Sequence, residues 1–379
     1  MALPSLAPRP PADDAASLWL DQLLTKSLQD QASDLHFEPA GTRLRVRRRI
    51  DGLLQDVDVP PAIHAERMVS RLKILARMDI GEKRRPQDGR WAIDWQGERV
   101  HFRVSSMPTV RGEKLVLRLM RLNTRLGQLE DLGYGRSDLA LLRRALRQPD
   151  GLILFTGPTG AGKSLSMIHC LREINTPELN ITTVEEPVEI LLPGIHQVAV
   201  HEAIGLNFAQ CLRALLRQDP DVLMVGEIRD LETAKVAVQA AQTGHLVLST
   251  LHCNDAAHAL VRLQDLGLPP YHVATCLRLV TAQRLVRRLC PHCRRCDELL
   301  GWVARGCEQC RHGFHGRIGL FEVMAMDESL QRLVLQGADS LALAQQARAG
   351  GMTGLREDGL AKAAQGLTTL AEVEAATHA

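Results

Sequence analysis

Residues 157–164 read GPTGAGKS, which has the residue types and spacing of a phosphate-binding loop. Such a loop lets backbone N–H groups point at the α- and β-phosphates, while Lys163 reaches the β- and γ-phosphates and the Ser164 hydroxyl ligates Mg²⁺. A helical pattern starts at the loop, and the positive end of a helix favours the same anion. The sequence therefore predicts a nucleotide site formed by Gly157, Pro158, Thr159, Gly160, Ala161, Gly162, Lys163 and Ser164.

Carboxylates and histidines flank three later apolar segments. Glu186 and Glu189 follow the first segment, Glu227 follows the second, and His245 and His252 stand on either side of the third. An acid at a strand end can orient or deprotonate a water molecule, and a histidine there can sense the γ-phosphate. Taken singly, such an acid is usually a helix cap and such a histidine is usually structural. Together, behind a phosphate loop, they favour nucleotide hydrolysis.

Four of the nine cysteines form two CxxC pairs, Cys290 with Cys293 and Cys307 with Cys310. Each pair can chelate through a tight turn, and two pairs complete the four thiolates of a closed tetrahedral site. The pattern predicts a structural Zn²⁺, against the alternative of redox-active or free thiols. Three neighbouring side chains remain open as substitute ligands: Cys296, His292 and His312.

Two stretches are locally basic. One alternates arginines with apolar residues over 42–50, which indicates a solvated sheet face or an interface with phosphate or an acidic neighbour. The other surrounds the first cysteine pair and consists of Arg284, Arg287, Arg288, Arg294 and Arg295. A zinc ribbon with arginines can bind nucleic acid. A solvated face or a subunit contact is favoured, because no aromatic residue interleaves with these charges.

Length and composition set the frame for these motifs. A chain of 379 residues with 45% apolar content accommodates two domains with buried cores. A net charge of +2 gives no global argument for a nucleic-acid or membrane partner, and 3% aromatic residues disfavour a stacking platform for single strands. No signal peptide or membrane-spanning window is present in the sequence, so a soluble, cytoplasmic protein is expected.

The element pattern places the motifs. Short apolar strands alternate with helices after residue 150, which predicts a parallel sheet buried on both faces, with ligands at the carboxyl ends of its strands. These strands are expected at 152–155, 181–184, 222–225 and 246–249. The earlier part combines helical spacing over 13–31 and 61–78 with alternating strands at 42–50, 91–95, 100–104 and 115–119, which predicts a mixed α+β domain.

The order of these motifs resembles the secretion and pilus-assembly ATPases of bacterial type II secretion and type IV pilus systems. The segments that carry the resemblance are GPTGAGKS at 157–164, ITTVEEPVE at 181–189, LRQDPDVLMVGEIRD at 216–230 and TGHLVLSTLH at 243–252. It extends to SDLHFEP at 33–39, QDGR at 87–90, RVSSMPT at 103–109, AQRLVRRLC at 282–290 and GRIGLFEV at 316–323. The resemblance covers nearly everything after residue 30.

The resemblance implies roles for the residues beyond the phosphate loop. Glu186 and Glu189 match the family's Asp box, Glu227 matches the Walker B acid, and His245 and His252 match the His box. Glu186 stands where the family usually has aspartate, so its acid is one methylene longer. The four-cysteine element distinguishes assembly and secretion ATPases from pilus retraction ATPases, which lack it.

Further expectations concern the N-terminal part and the assembly. Arg90 and Arg103 match positions that supply arginines to the nucleotide, where they stabilise charge on the transferred phosphoryl group as the two domains hinge. Cys253 follows His252 where threonine is common in the family. Family members act as hexameric rings. The chain begins almost directly at the domain with SDLHFEP, so a short form without the extra N-terminal docking domain is expected.

The predicted fold class is α/β, with a RecA-like P-loop ATPase core and an N-terminal α+β, PAS-like domain. The expected divisions are a disordered lead-in at 1–12, the α+β domain at 13–122, a linker at 123–135, the ATPase core at 136–283, a tetracysteine zinc module at 284–319 and a C-terminal helical region at 320–379. The predicted function is a cytoplasmic homo-hexameric ATPase, using ATP, Mg²⁺ and Zn²⁺, that powers pseudopilus or pilus assembly with inner-membrane platform proteins and without nucleic acid. The alternatives are a DNA-linked translocation ATPase and a non-hydrolysing ATP-binding scaffold.

Overall fold

The computed structural model describes residues 15–40, 43–60, 63–121 and 127–377, which form two compact units. Described residues up to 121, together with 189–191, make the first unit, and 127–188 with 192–377 make the second. The predicted lead-in at 1–12 lies outside the described residues, as do positions 123–126 of the predicted linker. The remainder of that linker contains one turn of 3₁₀ helix, Leu129–Leu132.

The first unit is a six-stranded antiparallel sheet with two helices packed on it, and the expected mixed α+β architecture is confirmed. The strand order is β3-β2-β1-β6-β5-β4. Its elements are α1 (Ala15–Gln29), β1 (Asp34–Ala40), β2 (Arg43–Ile50), β3 (Leu53–Val57), α2 (Ala65–Leu75), β4 (Gln87–Trp95), β5 (Glu98–Thr109) and β6 (Gly112–Arg121). Side chains alternate along the strands, so one face buries Phe37, Val46 and Phe102 beneath the helices while the other is polar.

The basic face of β2 is neutralised within the first unit. Four of its arginines pair with carboxylates, Arg45 with Asp56, Arg47 with Glu38, Arg48 with Asp30 and Arg49 with Asp34. The Arg47–Glu38 pair is bidentate, with both nitrogen–oxygen distances at 2.8 Å. The acidic neighbour that the sequence left open is therefore supplied by the chain itself.

The second unit is built on a seven-stranded sheet of order β15-β12-β7-β11-β10-β8-β9. Its strands are β7 (Gly151–Thr156), β8 (Ile181–Glu185), β9 (His196–Ala199), β10 (Val222–Val225), β11 (Leu246–Leu251), β12 (Leu277–Leu289) and β15 (Phe314–Ala325), with a separate hairpin of β13 (Arg295–Asp297) and β14 (Gly301–Val303). Six strands run parallel, and β15 lies antiparallel on β12 at the edge.

Helices cover this sheet and follow its strands. They are α3 (Arg136–Leu146), α4 (Lys163–Ile174), α5 (Phe208–Leu215), α6 (Leu231–Gln242), α7 (Ala256–Asp265), α8 (Pro270–Cys276), α9 (Glu328–Leu335), α10 (Ser340–Ala349), α11 (Leu355–Ala364) and α12 (Leu370–Thr377). Every residue of β7, β8, β10 and β11 is buried, as expected for parallel strands with both faces covered. The predicted parallel α/β core is thus confirmed.

The sheet continues through the segment that the sequence set apart as a zinc module. Strand β12 crosses the expected boundary at 283/284, and β15 crosses the one at 319/320. The reason is backbone pairing, because β15 runs along β12 from Leu279 to Leu289 and satisfies its N–H and C=O groups as one ladder.

In the part of the chain that the structure describes, no helix has both the length and the apolar character needed to cross a bilayer.

Candidate nucleotide site and metal centre

The phosphate loop connects the end of β7 to the start of α4, and its glycines are required by the backbone. Gly157 has φ +148° and Gly162 has φ +88°, which L side chains rarely adopt. A Cβ built on Gly157 would also lie 2.5 Å from the carbonyl oxygen of Gln283. The loop folds around its own lysine, since the Lys163 ammonium donates to the carbonyl oxygens of Gly157 (2.7 Å) and Pro158 (3.1 Å).

The electrostatics of this loop favour an anionic ligand. Burial lowers the pKa of Lys163 to about 8, and the Glu227 charge offsets this only in part. A polyphosphate beside the ammonium would favour its charged form. The first N–H groups of α4 have no partners within the helix and join the lysine at this site. Ser164 lies in the first turn of α4 with its side chain exposed.

An acidic and basic cluster forms where β8, β10 and β11 end. The Arg229 guanidinium contacts Glu227 at 2.5 Å and Glu186 at 3.2 Å, and Nε2 of His252 lies 3.4 Å from Oε2 of Glu227. Burial raises the pKa of Glu227, but Arg229 and His252 outweigh it, so the pKa falls below its ordinary value. The half-buried Glu227 is therefore held as a carboxylate between two basic groups.

Sequence reasoning missed Arg229 in this cluster. The signal was present, because Arg229 stands two residues after Glu227 in the GEIRD segment. The structure also separates two adjacent acids. Glu185 ends β8 and is buried against the Thr183 hydroxyl and the Gln197 amide, whereas Glu186 faces Arg229.

Other predicted site residues are not part of this cluster. His245 precedes β11 while His252 follows it, and a six-residue strand between them rises roughly 20 Å. The Nδ1 of His245 lies 3.0 Å from the carbonyl oxygen of Ala240, at the end of α6. Glu189 falls in the short stretch that belongs to the first unit.

Arg90 and Arg103 lie in the first unit, directly opposite each other on β4 and β5. Both side chains are exposed on the same face of that sheet. Like charges in this arrangement repel each other. An anion bound between the two guanidinium groups would relieve that repulsion.

The four cysteines of the two CxxC pairs come together in the second unit. Their sulfur atoms all lie within 4.8 Å of one another. The Sγ–Sγ distances are 3.9 Å for Cys290 and Cys307, and 3.6 Å for both Cys293 with Cys310 and Cys307 with Cys310. Thiolates arranged tetrahedrally around Zn²⁺ lie ~3.8 Å apart, so the donor set fits that ion. The N–H of Cys307 also donates to the sulfur of Cys310.

Three arginines of the basic segment that flanks the first cysteine pair in sequence are engaged within the chain. Arg287 pairs with Glu372 at 2.6 Å and lies over the Phe314 ring, 4.0 Å from its centroid. Arg294 donates to the carbonyl oxygen of Gly366 and lies 5.0 Å from the centroid of the Trp302 ring. The third, Arg284, is buried. Aromatic rings therefore do accompany the charges, but they come from β14 and β15 and bind arginines of the same chain.

A phosphate loop after the first strand of a parallel sheet, with a carboxylate at the end of another parallel strand of that sheet, defines the P-loop class of nucleotide-binding proteins. The family model described as "Type II/IV secretion system protein" matches residues 12–375. The chain belongs to this family, which includes ATPases of type II secretion and type IV pilus assembly.

Individual relatives agree with this assignment. The type II secretion system protein HxcR of Pseudomonas aeruginosa is 50% identical over 356 residues, covering 93% of this chain and 76% of that protein. The type IV pilus assembly ATPase PilB of the same organism is 45% identical over 386 residues, covering 97% and 68%. The crystal structure of the pilus retraction motor PilT with bound ADP has a TM-score of 0.65 at 25% identity, covering 93% of this chain and 95% of PilT.

Proposed function

We propose that this chain hydrolyses ATP and uses the resulting domain motion to drive assembly of a type II secretion pseudopilus or a type IV pilus. The observation that carries the proposal is the contact of Glu227 with Arg229 and His252 at the strand ends behind the phosphate loop. The named relatives act in the same two systems, and PilT binds ADP on the same fold.

In this proposal the phosphate loop holds the polyphosphate, with the Lys163 ammonium moving from its loop carbonyls to the β- and γ-phosphates. The oxygen of a water molecule attacks the γ-phosphorus, the bond to the β–γ bridging oxygen breaks, and Glu227 accepts the proton of that water. Arg229 keeps Glu227 ionised. His252 contacts Glu227 and senses whether the γ-phosphate is present. The Ser164 hydroxyl would ligate Mg²⁺, which would supply positive charge to the phosphates.

Three of the remaining predicted site residues, Arg90, Arg103 and Glu189, stay part of the proposal. Arg90 and Arg103 supply positive charge to the nucleotide from the first unit, which suits two exposed guanidinium groups on facing strands. Glu189 belongs to the same acidic segment as Glu186. We assign His245 no role at the same nucleotide as His252, because the length of β11 separates them.

The proposed assembly is a homo-hexamer at the cytoplasmic face of the inner membrane, bound to platform proteins. The four cysteines bind a structural Zn²⁺ in this proposal, since their sulfur spacing fits a closed tetrahedral site and leaves no position for substrate. Arg287 and Arg294 of the basic segment are already engaged within the chain, which disfavours nucleic acid as the partner.

The test is steady-state ATP hydrolysis by the zinc-loaded protein alone, with vesicles of anionic phospholipid, and with duplex DNA. Lys163→Ala serves as the loop control and should lose both ATP binding and turnover. We expect turnover that rises with vesicles and is unchanged by DNA. Stimulation by DNA alone would contradict the proposal in favour of a translocase, and ATP binding without any turnover would contradict it in favour of a scaffold.

A further inference from the structure

Strand β12 reaches the phosphate loop through a buried glutamine. Ala282 is paired with Thr156, so Gln283 stands level with Gly157, where the loop begins. The Gln283 amide nitrogen donates to the carbonyl oxygen of Ala161 at 2.7 Å, and its amide oxygen accepts from the Ser166 hydroxyl at 2.9 Å. One neutral side chain, 2% exposed, therefore joins the middle of the loop to the first turns of α4.

Its neighbour on β12 contacts the loop that carries His252. The buried Arg284 donates from Nη2 to the carbonyl oxygen of Asn254 at 2.8 Å and from Nη1 to that of Gln283 at 3.1 Å. Thr156 holds the same loop from the other side, since its hydroxyl exchanges hydrogen bonds of 3.0 and 3.1 Å with the backbone of Cys253. The position of His252 relative to Glu227 thus depends on Arg284 and Thr156.

We propose that Gln283 and Arg284 are positioning residues of the nucleotide site. Gln283 fixes the phosphate loop, and Arg284 fixes the loop behind His252. The proposal rests on the proposed function, because it assumes that a nucleotide binds at this loop. A glutamine suits its position because it both donates and accepts, which neither methionine nor glutamate can do there at neutral pH. An arginine suits the second position because its planar fork reaches two carbonyl oxygens at once.

The two residues should affect different steps. The phosphate loop holds ADP and ATP alike, so Gln283→Met should weaken the binding of both about equally. The loss of one net hydrogen bond in the loop predicts a Kd about tenfold higher. Arg284→Met should lower kcat at least about tenfold while the Kd for ADP changes less than about twofold. The reason is that the substitution displaces the loop that carries His252 and leaves the phosphate loop in place.

The experiment measures Kd for fluorescent ADP and ATP analogues and kcat for ATP in each variant, with thermal unfolding recorded alongside. Arg288→Met is the matched control, since Arg288 is exposed on the same strand and should leave all values unchanged. Ser166→Ala removes the other partner of Gln283 without altering β12, and should raise both Kd values about threefold. It keeps the inference testable when Gln283→Met does not fold.

The outcomes separate this inference from the proposed function. A wild-type protein that does not bind the ADP analogue would defeat the proposed function itself. A wild-type protein that binds it, with Ser166→Ala and every folded Gln283 variant binding within twofold of wild type, would overturn the role of Gln283. An Arg284→Met variant in which ADP affinity and kcat both fall would overturn the assignment of Arg284 to the loop that carries His252 alone.

Discussion

Asp138 is a buried carboxylate with too little positive charge around it, so we predict that replacing it with a neutral residue stabilises the protein. Asp138 on α3 lies near the ion pair of Asp358 and Lys362 on α11, and all three side chains are buried. Lys362 donates to Asp358 and to the carbonyl oxygen of Gly319, and Asp358 also accepts the N–H of Phe321. One lysine therefore serves two carboxylates, and Asp138 is the one left with the weaker compensation.

The cost follows from the titration of Asp138. Burial and the charge of Asp358 raise its pKa from 3.8 to about 6, with Lys362 opposing them. At about 1.4 kcal/mol per pH unit, the ionised side chain costs the folded state about 3 kcal/mol at pH 8. Because the folded-state pKa is raised, this cost appears as the pH rises through the interval from 3.8 to about 6. It is about half as large at pH 5.

The assay is urea unfolding of wild type and Asp138→Asn at pH 8 and at pH 5. Asparagine keeps the shape and removes the charge, so the variant should be more stable than wild type by about 2 to 3 kcal/mol at pH 8, with a smaller gain at pH 5. Asp358→Asn is the contrasting variant, since it removes a charge that is paired and should destabilise at both pH values. An Asp138→Asn variant less stable than wild type at pH 8 would refute the reasoning.

Two further predictions concern the cluster and the metal. Arg229→Met should raise the pKa of Glu227, so the rate of hydrolysis should fall more at pH 6 than at pH 8. Arg213→Met breaks an ion pair away from the site and should leave the pH profile of hydrolysis unchanged. A profile of Arg229→Met that shifts to lower pH would contradict this prediction. Cys293→Ser should lose bound zinc, which elemental analysis measures. The variant should unfold at a temperature lower by roughly 5 °C or more, while its affinity for ADP stays within twofold of wild type. Loss of zinc without loss of thermal stability would argue against a structural metal.

Much of the fold could be predicted because its signals are local. The loop at 157–164 and the four apolar strands around it are short runs whose residue types dictate burial on both faces of a sheet. The ends of β8, β10 and β11 then had to meet, which is why Glu186, Glu227 and His252 converge. Parallel topology places all carboxyl ends at one edge.

The parts that sequence reasoning missed depend on distant pairing. Gln283 looks like any polar residue in a basic segment until β12 is paired with β7, which places it against the phosphate loop. The sequence also suggested a separate zinc module at 284–319, but β12 and β15 pair across both of its expected boundaries and belong to the central sheet. The family's His box grouped His245 with His252, although the two flank one predicted strand, and β11 confirms that they lie at its opposite ends.

The most direct test of the account is ATP hydrolysis by Glu227→Gln, with ATP binding measured on the same preparation. Glutamine keeps the size of the side chain but cannot accept the proton of the attacking water. The account predicts ATP affinity within a few-fold of wild type and turnover reduced by at least about a hundredfold. Turnover near that of wild type would contradict the assignment of Glu227, and with it the proposed mechanism.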